Sequence, residues 1–194
     1  MIDPAIILIL IVGLVILTPL LWLIGTYNGL VRTRQHVIES WSDVDTELKR
    51  RHNLIPNLVE TVKGYAAHES EVLERVTAAR AAADRPHDGP AHQARDEDEL
   101  IAALDRLFIR VEAYPDLKAS RNFLELQHEL AETENRIQRA RRFYNANVRD
   151  LNVRCQAFPS SVIAQAFGFT LAEYFEVRDA GQRLAPSVSL SGTA

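Results

Sequence analysis

The chain has 194 residues, with 22 Lys+Arg against 26 Asp+Glu, a formal charge of −4 and a pI ≈ 5.9. That length suits one modest domain, and the acidic balance argues against a protein that grips nucleic acid through its phosphates, which needs a strongly basic face. Cys155 is the sole cysteine, so the chain can form neither an internal disulfide nor a thiolate metal site, and it fits a reducing compartment.

The apolar residues concentrate at the N-terminus. Residues 5–25, "AIILILIVGLVILTPLLWLIG", carry no ionisable side chain. As a helix they would extend ~31 Å, the thickness of a hydrocarbon core. Gly13 and Pro19 are tolerated within a membrane, and Trp22 and Tyr27 stand where an interfacial aromatic belt would place them. A cleaved signal peptide would need a basic leader and a shorter apolar run. Here the leader is "MIDP" with Asp3, so the expectation is an uncleaved single-pass anchor over residues 1–26. Arg32, Arg34, Lys49, Arg50 and Arg51 follow it, which by the positive-inside bias puts the N-terminus outside and the body at the cytoplasmic face of the inner membrane.

Between residues 30 and 158 the prolines are Pro56, Pro86, Pro90 and Pro115. Helix interiors reject proline, so the region divides into 30–55, 57–85, 91–114 and 116–158, all rich in helix-forming residues. Apolar residues recur at spacings of three and four. The stripes are Leu30, Val37, Trp41, Val44 and Leu48; Leu58, Val62, Tyr65, Val72 and Val76; Leu100, Leu104, Leu107, Val111 and Tyr114; and Phe123, Leu126, Leu130, Thr133, Ile137, Ala140, Tyr144, Val148, Leu151 and Cys155. No segment alternates with period two. The expected fold is all-α: a single transmembrane helix followed by an antiparallel four-helix bundle of long helices over 27–177. A break is expected at Pro56, where Asn53 in "HNLIP" suits a left-handed C-cap; the alternative is a kink that fuses the first two pieces into one long rod. Residues 84–97 read as a polar loop, Ser120 as the cap of the fourth helix, 158–177 as an aromatic-rich segment holding a short helix that covers one end, and 178–194 as a disordered tail.

Glu125 and His128 form Glu-x-x-His, half of the carboxylate–histidine site of di-metal bundles. With Phe123 and Leu130 at heptad position a, however, Glu125 falls at c and His128 at f, away from the seam. No other histidine supplies the second half: His36, His52, His68, His87 and His92 follow Thr33, Lys49, Tyr65, Asp84 and Gly89 by three. His68-Glu69 lacks the second histidine of a zinc protease, since position 72 is Val72. There is no nucleophile elbow or glycine-rich phosphate loop. The sequence therefore offers no catalytic residue, no metal ligand set and no cofactor site.

Three features rise above a generic bundle. The run "RIQRARRFYNANVRDLNVR" sets Arg136, Arg139, Arg141, Arg142, Arg149 and Arg154 against Asp150. It reads as a solvated face with cross-helix ion pairs or as a docking stripe for an acidic partner or anionic headgroups. Lys49, Arg50 and Arg51 stand at the expected first reversal, which a straight rod would carry ~40 Å from the bilayer; they suit a protein partner or the charge of a helix C-terminus. Arg34, Glu69, Thr133 and Asn147 occupy or abut the seams, and Glu69 is expected to pair with a guanidinium from a neighbouring helix. The candidate interaction surface is thus Arg139, Arg141, Arg142, Lys49, Arg50 and Arg51.

The segments "YNGLVRTRQHVIESWSDVDTELKRRHNLIPNLVETVKGYAAHE" (27–69), "AYPDLKASRNFLELQHELAETENRIQRARRFYNANVRDLN" (113–152) and "FPSSVIAQAFGF" (158–169) resemble the LemA family of bacterial membrane-anchored helical proteins. The resemblance covers nearly all of the chain after the anchor, apart from 84–97 and the last 15 or so residues. It implies an N-terminal span and a long-helix bundle, and it implies no reaction. Some members are implicated in organising or remodelling membranes and some are linked to membrane proteases, roles that transfer to no particular residue. The expected function is a non-enzymatic, membrane-anchored scaffold that organises other proteins; the alternative is a lipid-contacting or membrane-remodelling protein. The expected partners are the bilayer, through the N-terminal helix, and other proteins, with self-association left open and nucleic acid not expected.

Overall fold

A computed structural model describes residues 3–66 and 68–177. The elements are α1 (Pro4–Tyr65), α2 (Ser70–Ala83), α3 (Pro90–Val111), the single turn α4 (Pro115–Lys118), α5 (Arg121–Gln156) and α6 (Ser160–Ala166). Among the described residues there is no strand. The expected tail, 178–194, lies outside them.

Helix α1 is 62 residues long, ~93 Å at 1.5 Å per residue. Asp3 caps it by accepting from the Ala5 amide at 3.0 Å, with Pro4 in the first turn, where its missing N–H costs nothing. The expected break at Pro56 does not occur: the helix continues to Tyr65. Proline deprives the carbonyl four residues earlier, that of His52, of its helical donor. Arg80 of α2 replaces it, donating from Nε to the His52 oxygen at 2.8 Å. The buried stripe also runs through the proline without a phase change, as Val44, Leu48, Arg51, Ile55, Leu58 and Val62. The predicted first helix therefore takes in 57–65 as well, the remainder of the predicted second helix is α2, and the chain reverses later, between Ala66 and Glu69.

Helix α5 runs antiparallel along α1. Trp41 packs on Tyr144 with ring centroids 5.2 Å apart, Arg51 pairs with Glu134, and Arg154 lies against Gly29. Distal to the stem, α1 and α5 are joined by the α2–α3 hairpin in a core of Ile55, Leu58, Val62, Val76, Leu100, Leu107, Leu117 and Phe123. Nearer the stem the core is Leu30, Val37, Val44, Leu48, Tyr144, Val148 and Leu151, closed by Ile163 and Ala164 of α6 and by Phe175.

The short helix expected within 158–177 is α6, whose Ile163 and Ala164 cover the stem-side core, and the segment after it is an extended strap. Gly168, with φ of 71°, takes the left-handed conformation that ends α6 and turns the chain back along α5. Asn152 Oδ1 accepts from the Ala172 amide (2.8 Å) and its Nδ2 donates to the Ala172 carbonyl (3.0 Å). Asn145 does the same at Phe175 (2.9 and 3.0 Å), and Arg141 donates to the Val177 carbonyl at 2.9 Å. The spacings match: seven helical residues advance ~10.5 Å and three extended ones ~10 Å. Side chains of α5 thus stand in for a neighbouring strand and satisfy backbone groups that would otherwise be unpaired.

The first turns of α1 project beyond this body. Ile11, Leu14, Ile16, Leu20 and Trp22 are exposed to an extent a water-soluble monomer does not sustain. This helix is long and apolar enough to cross a membrane.

Candidate functional site

Two places in the fold gather charged groups. The first is inside the body. Glu97, on the buried face of α3, is fully buried and contacts Arg51 Nη2, His52 Nε2 (2.9 Å) and Gln93 Nε2 (2.8 Å). Arg51 also reaches Glu134 of α5 at 2.8 Å, and His52 Nδ1 faces Asp84 at 3.3 Å. Both ring nitrogens of His52 thus face carboxylate oxygens, which accept. Burial works against ionisation of Glu97, yet the hydrogen bond from His52, the Arg51 and His52 charges and the Gln93 contact outweigh it and hold the carboxyl below its ordinary range.

Three helices are tied by this cluster, and the same turn of α1 carries the His52 carbonyl held by Arg80. Its ionic groups lie between the two apolar cores and fix the register of α1, α3 and α5. His52 and Asp84 of the cluster also line a smaller pocket of ≈ 330 Å³, together with Lys49, His87 and Gln93, while Glu97 itself is closed off from solvent. Sequence reasoning placed Arg51 on a docking surface, and the structure corrects this: Arg51 is buried. The expectation rested on a reversal at Pro56; in a continuous helix, position 51 falls on the buried face. Residues 90–97 are likewise helix rather than loop, because Pro90 occupies a first-turn position.

The second place is an open cleft of ≈ 1330 Å³ between α3, α5 and the strap. Arg95, Glu99, Gln138, Arg142, Glu173 and Glu176 line it, so it presents both signs of charge. Of the sequence-selected residues, Arg139 and Arg142 are exposed on α5, Arg142 in the cleft, while Arg141 is partly buried and fastens the strap. Lys49 and Arg50 are exposed but sit apart from them, Lys49 bound to Asp45 at 2.6 Å and Arg50 near Glu47 at 3.7 Å. The structure therefore separates the six into Arg142 in the cleft, Arg139 exposed elsewhere on α5, a strap fastener, two cations on α1 and one buried charge.

Glu125 and His128 are both exposed, and Glu125 accepts from Arg121 at 2.8 Å. Glu69 has Arg110 of α3 at 3.9 Å and accepts from the Tyr114 hydroxyl at 3.1 Å. Arg34 is not in a seam; its guanidinium lies 5.0 Å over the Phe169 ring. Thr133 is buried, its hydroxyl donating to the Glu129 carbonyl. Sequence reasoning missed Glu97, His52 and the two strap asparagines. For Glu97 a signal existed: it precedes Leu100, Leu104, Leu107 and Val111 at the spacing of their stripe.

The chain is 28% identical over 145 residues to "Protein LemA" of Metamycoplasma hominis, covering 73% of this chain and 65% of that protein, slightly less than two thirds of its length. It is 26% identical over 184 residues to "Magnetosome protein MamQ 2" of Paramagnetospirillum magneticum, and 25% identical to "Magnetosome protein MamQ" of Magnetospirillum gryphiswaldense, covering in each case 82% of this chain and 68% of the relative. The sequence model of the LemA family matches residues 40–190, from the α1–α5 pairing through the buried cluster and the strap, and the chain belongs to the LemA family.

Proposed function

We propose that this protein is a non-enzymatic, membrane-anchored helical scaffold. Residues 1–26 would span the inner membrane with the N-terminus outside, and the body, 27–177, would organise protein partners at the cytoplasmic face. The observation that carries this reading is the continuity of α1 from the exposed apolar stem through both cores. A partner seated on the body is then held at a fixed height and orientation above the lipid, without a hinge between anchor and body. The cleft beside Arg142 suits a partner segment of mixed charge. A second reading, in which the body itself contacts and reshapes lipid, draws support from the exposed Phe158 and Phe167.

A photocrosslinking residue in place of Glu99, in the intact chain in cells, tests the scaffold. Defined adducts are expected there, lost when Arg139→Glu and Arg142→Glu are combined, with expression and membrane fractionation unchanged. Absence of adducts, or adducts indifferent to both reversals, would overturn this reading.

A further inference from the structure

We infer that the stem-side end of the body, formed by residues 156–171, is seated in the headgroup region of the bilayer that α1 enters. This rests on the reading of α1 as membrane-spanning. From Cys155 to Ala172 there is no ionisable side chain apart from Cys155 itself, and the segment is nonetheless largely at the surface. Phe158 is 85% exposed, Phe167 53%, and Val162 and Leu171 are exposed beside them. An uncharged, aromatic-rich patch facing outward calls for an apolar or interfacial neighbour.

Its position identifies that neighbour. Phe167 and Phe169 stack on Tyr27 of α1, with centroids at 4.9 and 5.9 Å. Pro159 and Ser160 border the same hollow as Trp22, Gly25 and Thr26. The patch is therefore level with the last turn of the apolar stem and continuous with it. Aromatic rings with one wet and one apolar side favour that depth.

Charge agrees independently. From residue 4 to 38 and from 151 to 172, the segments that build this end contain no Asp or Glu; their fixed charges are Arg32, Arg34 and Arg154. Arg154 lies against Gly29, and Arg34 covers Phe169. Guanidinium groups set about a turn above buried aromatics match a phosphate layer over the acyl boundary. A soluble acidic protein would be served by the cations but not by the apolar patch. With α1 as one contact and this patch as a second, the body is held against tilting about the stem.

The test uses the full chain with Cys155→Ala, spin-labelled in turn at Phe158→Cys, Val162→Cys and Phe167→Cys and reconstituted in phosphatidylcholine–phosphatidylglycerol vesicles. Leu14→Cys in the stem and Ile109→Cys on α3 serve as references. Accessibility to oxygen relative to a water-soluble nickel complex is expected to be severalfold higher at the three patch sites than at 109, approaching that at 14. Using three sites keeps the test decisive if one substitution perturbs folding. Patch sites matching 109 while 14 stays lipid-like would overturn the seat and leave the anchor standing. An aqueous ratio at 14 would overturn both. Dipolar broadening with low access to either reagent would show that a second copy covers the patch, which also overturns it.

Discussion

Replacing Glu97 by glutamine keeps its shape and removes its charge. Glu97 is fully buried, and the Arg51 and His52 side chains are 4% and 3% exposed. After the substitution Arg51 would rely on Glu134 and His52 on Asp84, carboxylates that are 39% and 45% exposed and so screened by water. A glutamine also offers one oxygen where the carboxylate offered two, so either Arg51 or His52 loses its acceptor there. Breaking a buried pair in this way costs about 3–5 kcal/mol, a large share of the ~5–15 kcal/mol that holds a domain folded. For a chain of this size that lowers the melting temperature by roughly 6–20 °C, measured by circular dichroism on the detergent-solubilised chain. The loss has a pH signature. Because the folded-state value of Glu97 lies below the ordinary 4.5, its contribution is complete above that pH and is lost as pH falls through the folded value. The gap between parent and Glu97→Gln is therefore expected to be full at pH 7 and to narrow below about pH 4.5. A gap under about 1 kcal/mol at pH 7, or one that widens on acidification, would refute the reasoning.

Pro56 and Arg80 are expected to be coupled: Arg80→Ala removes the donor that replaces the lost amide at the His52 carbonyl, so it costs about 1–2 kcal/mol more in the parent than in a Pro56→Ala background, read from a double-mutant cycle. Asn145→Ala and Asn152→Ala each remove two strap hydrogen bonds and leave backbone groups unpaired, a loss of about 1–3 kcal/mol that hydrogen exchange places at 170–177. Arg139→Glu with Arg142→Glu leaves melting within about 0.5 kcal/mol, as surface positions do, whereas Arg141→Glu loosens the strap end. Burial, reinforced by the Glu173 charge, pushes the Tyr144 hydroxyl up to about 12, so an ultraviolet titration of the folded chain loses its last ionising tyrosine in Tyr144→Phe.

Stripe residues were legible because burial follows a period of three and four whatever the tertiary details. Leu100, Leu104, Leu107 and Val111 on α3, and the Phe123–Cys155 stripe on α5, lie where periodicity puts them, Leu126 and Ala140 half-buried and the rest buried. The reversals were not legible in the same way. Proline was weighed as a local breaker, but its cost depends on whether another side chain reaches the freed carbonyl, and Arg80 lies 28 residues further along the chain. The true reversal at 66–69 leaves Val62, Ala66, Glu69, Leu73 and Val76 in unbroken three-four spacing, so the pattern runs straight through the turn. The reversal expected at Pro56 misplaced Arg51, and the loop expected over 84–97 hid Glu97. Each falls in phase with an apolar stripe, and a cation and an anion in phase on different helices are a sign of a buried pair. The strap depends on asparagines seven apart meeting an extended segment, a match visible only once α5 and 170–177 lie side by side.

The account depends most on α1 remaining one rod through Pro56. Spin labels at Ile38→Cys and Lys63→Cys, both on exposed positions, in a Cys155→Ala chain embedded in nanodiscs, measure this by dipolar spectroscopy. A continuous helix sets the two Cα atoms ~37 Å apart, with a narrow distribution. A chain that reverses at Pro56 would bring them to ~19 Å, eleven residues of net rise and one interhelical spacing, and that distance would contradict the rigid link between stem and body.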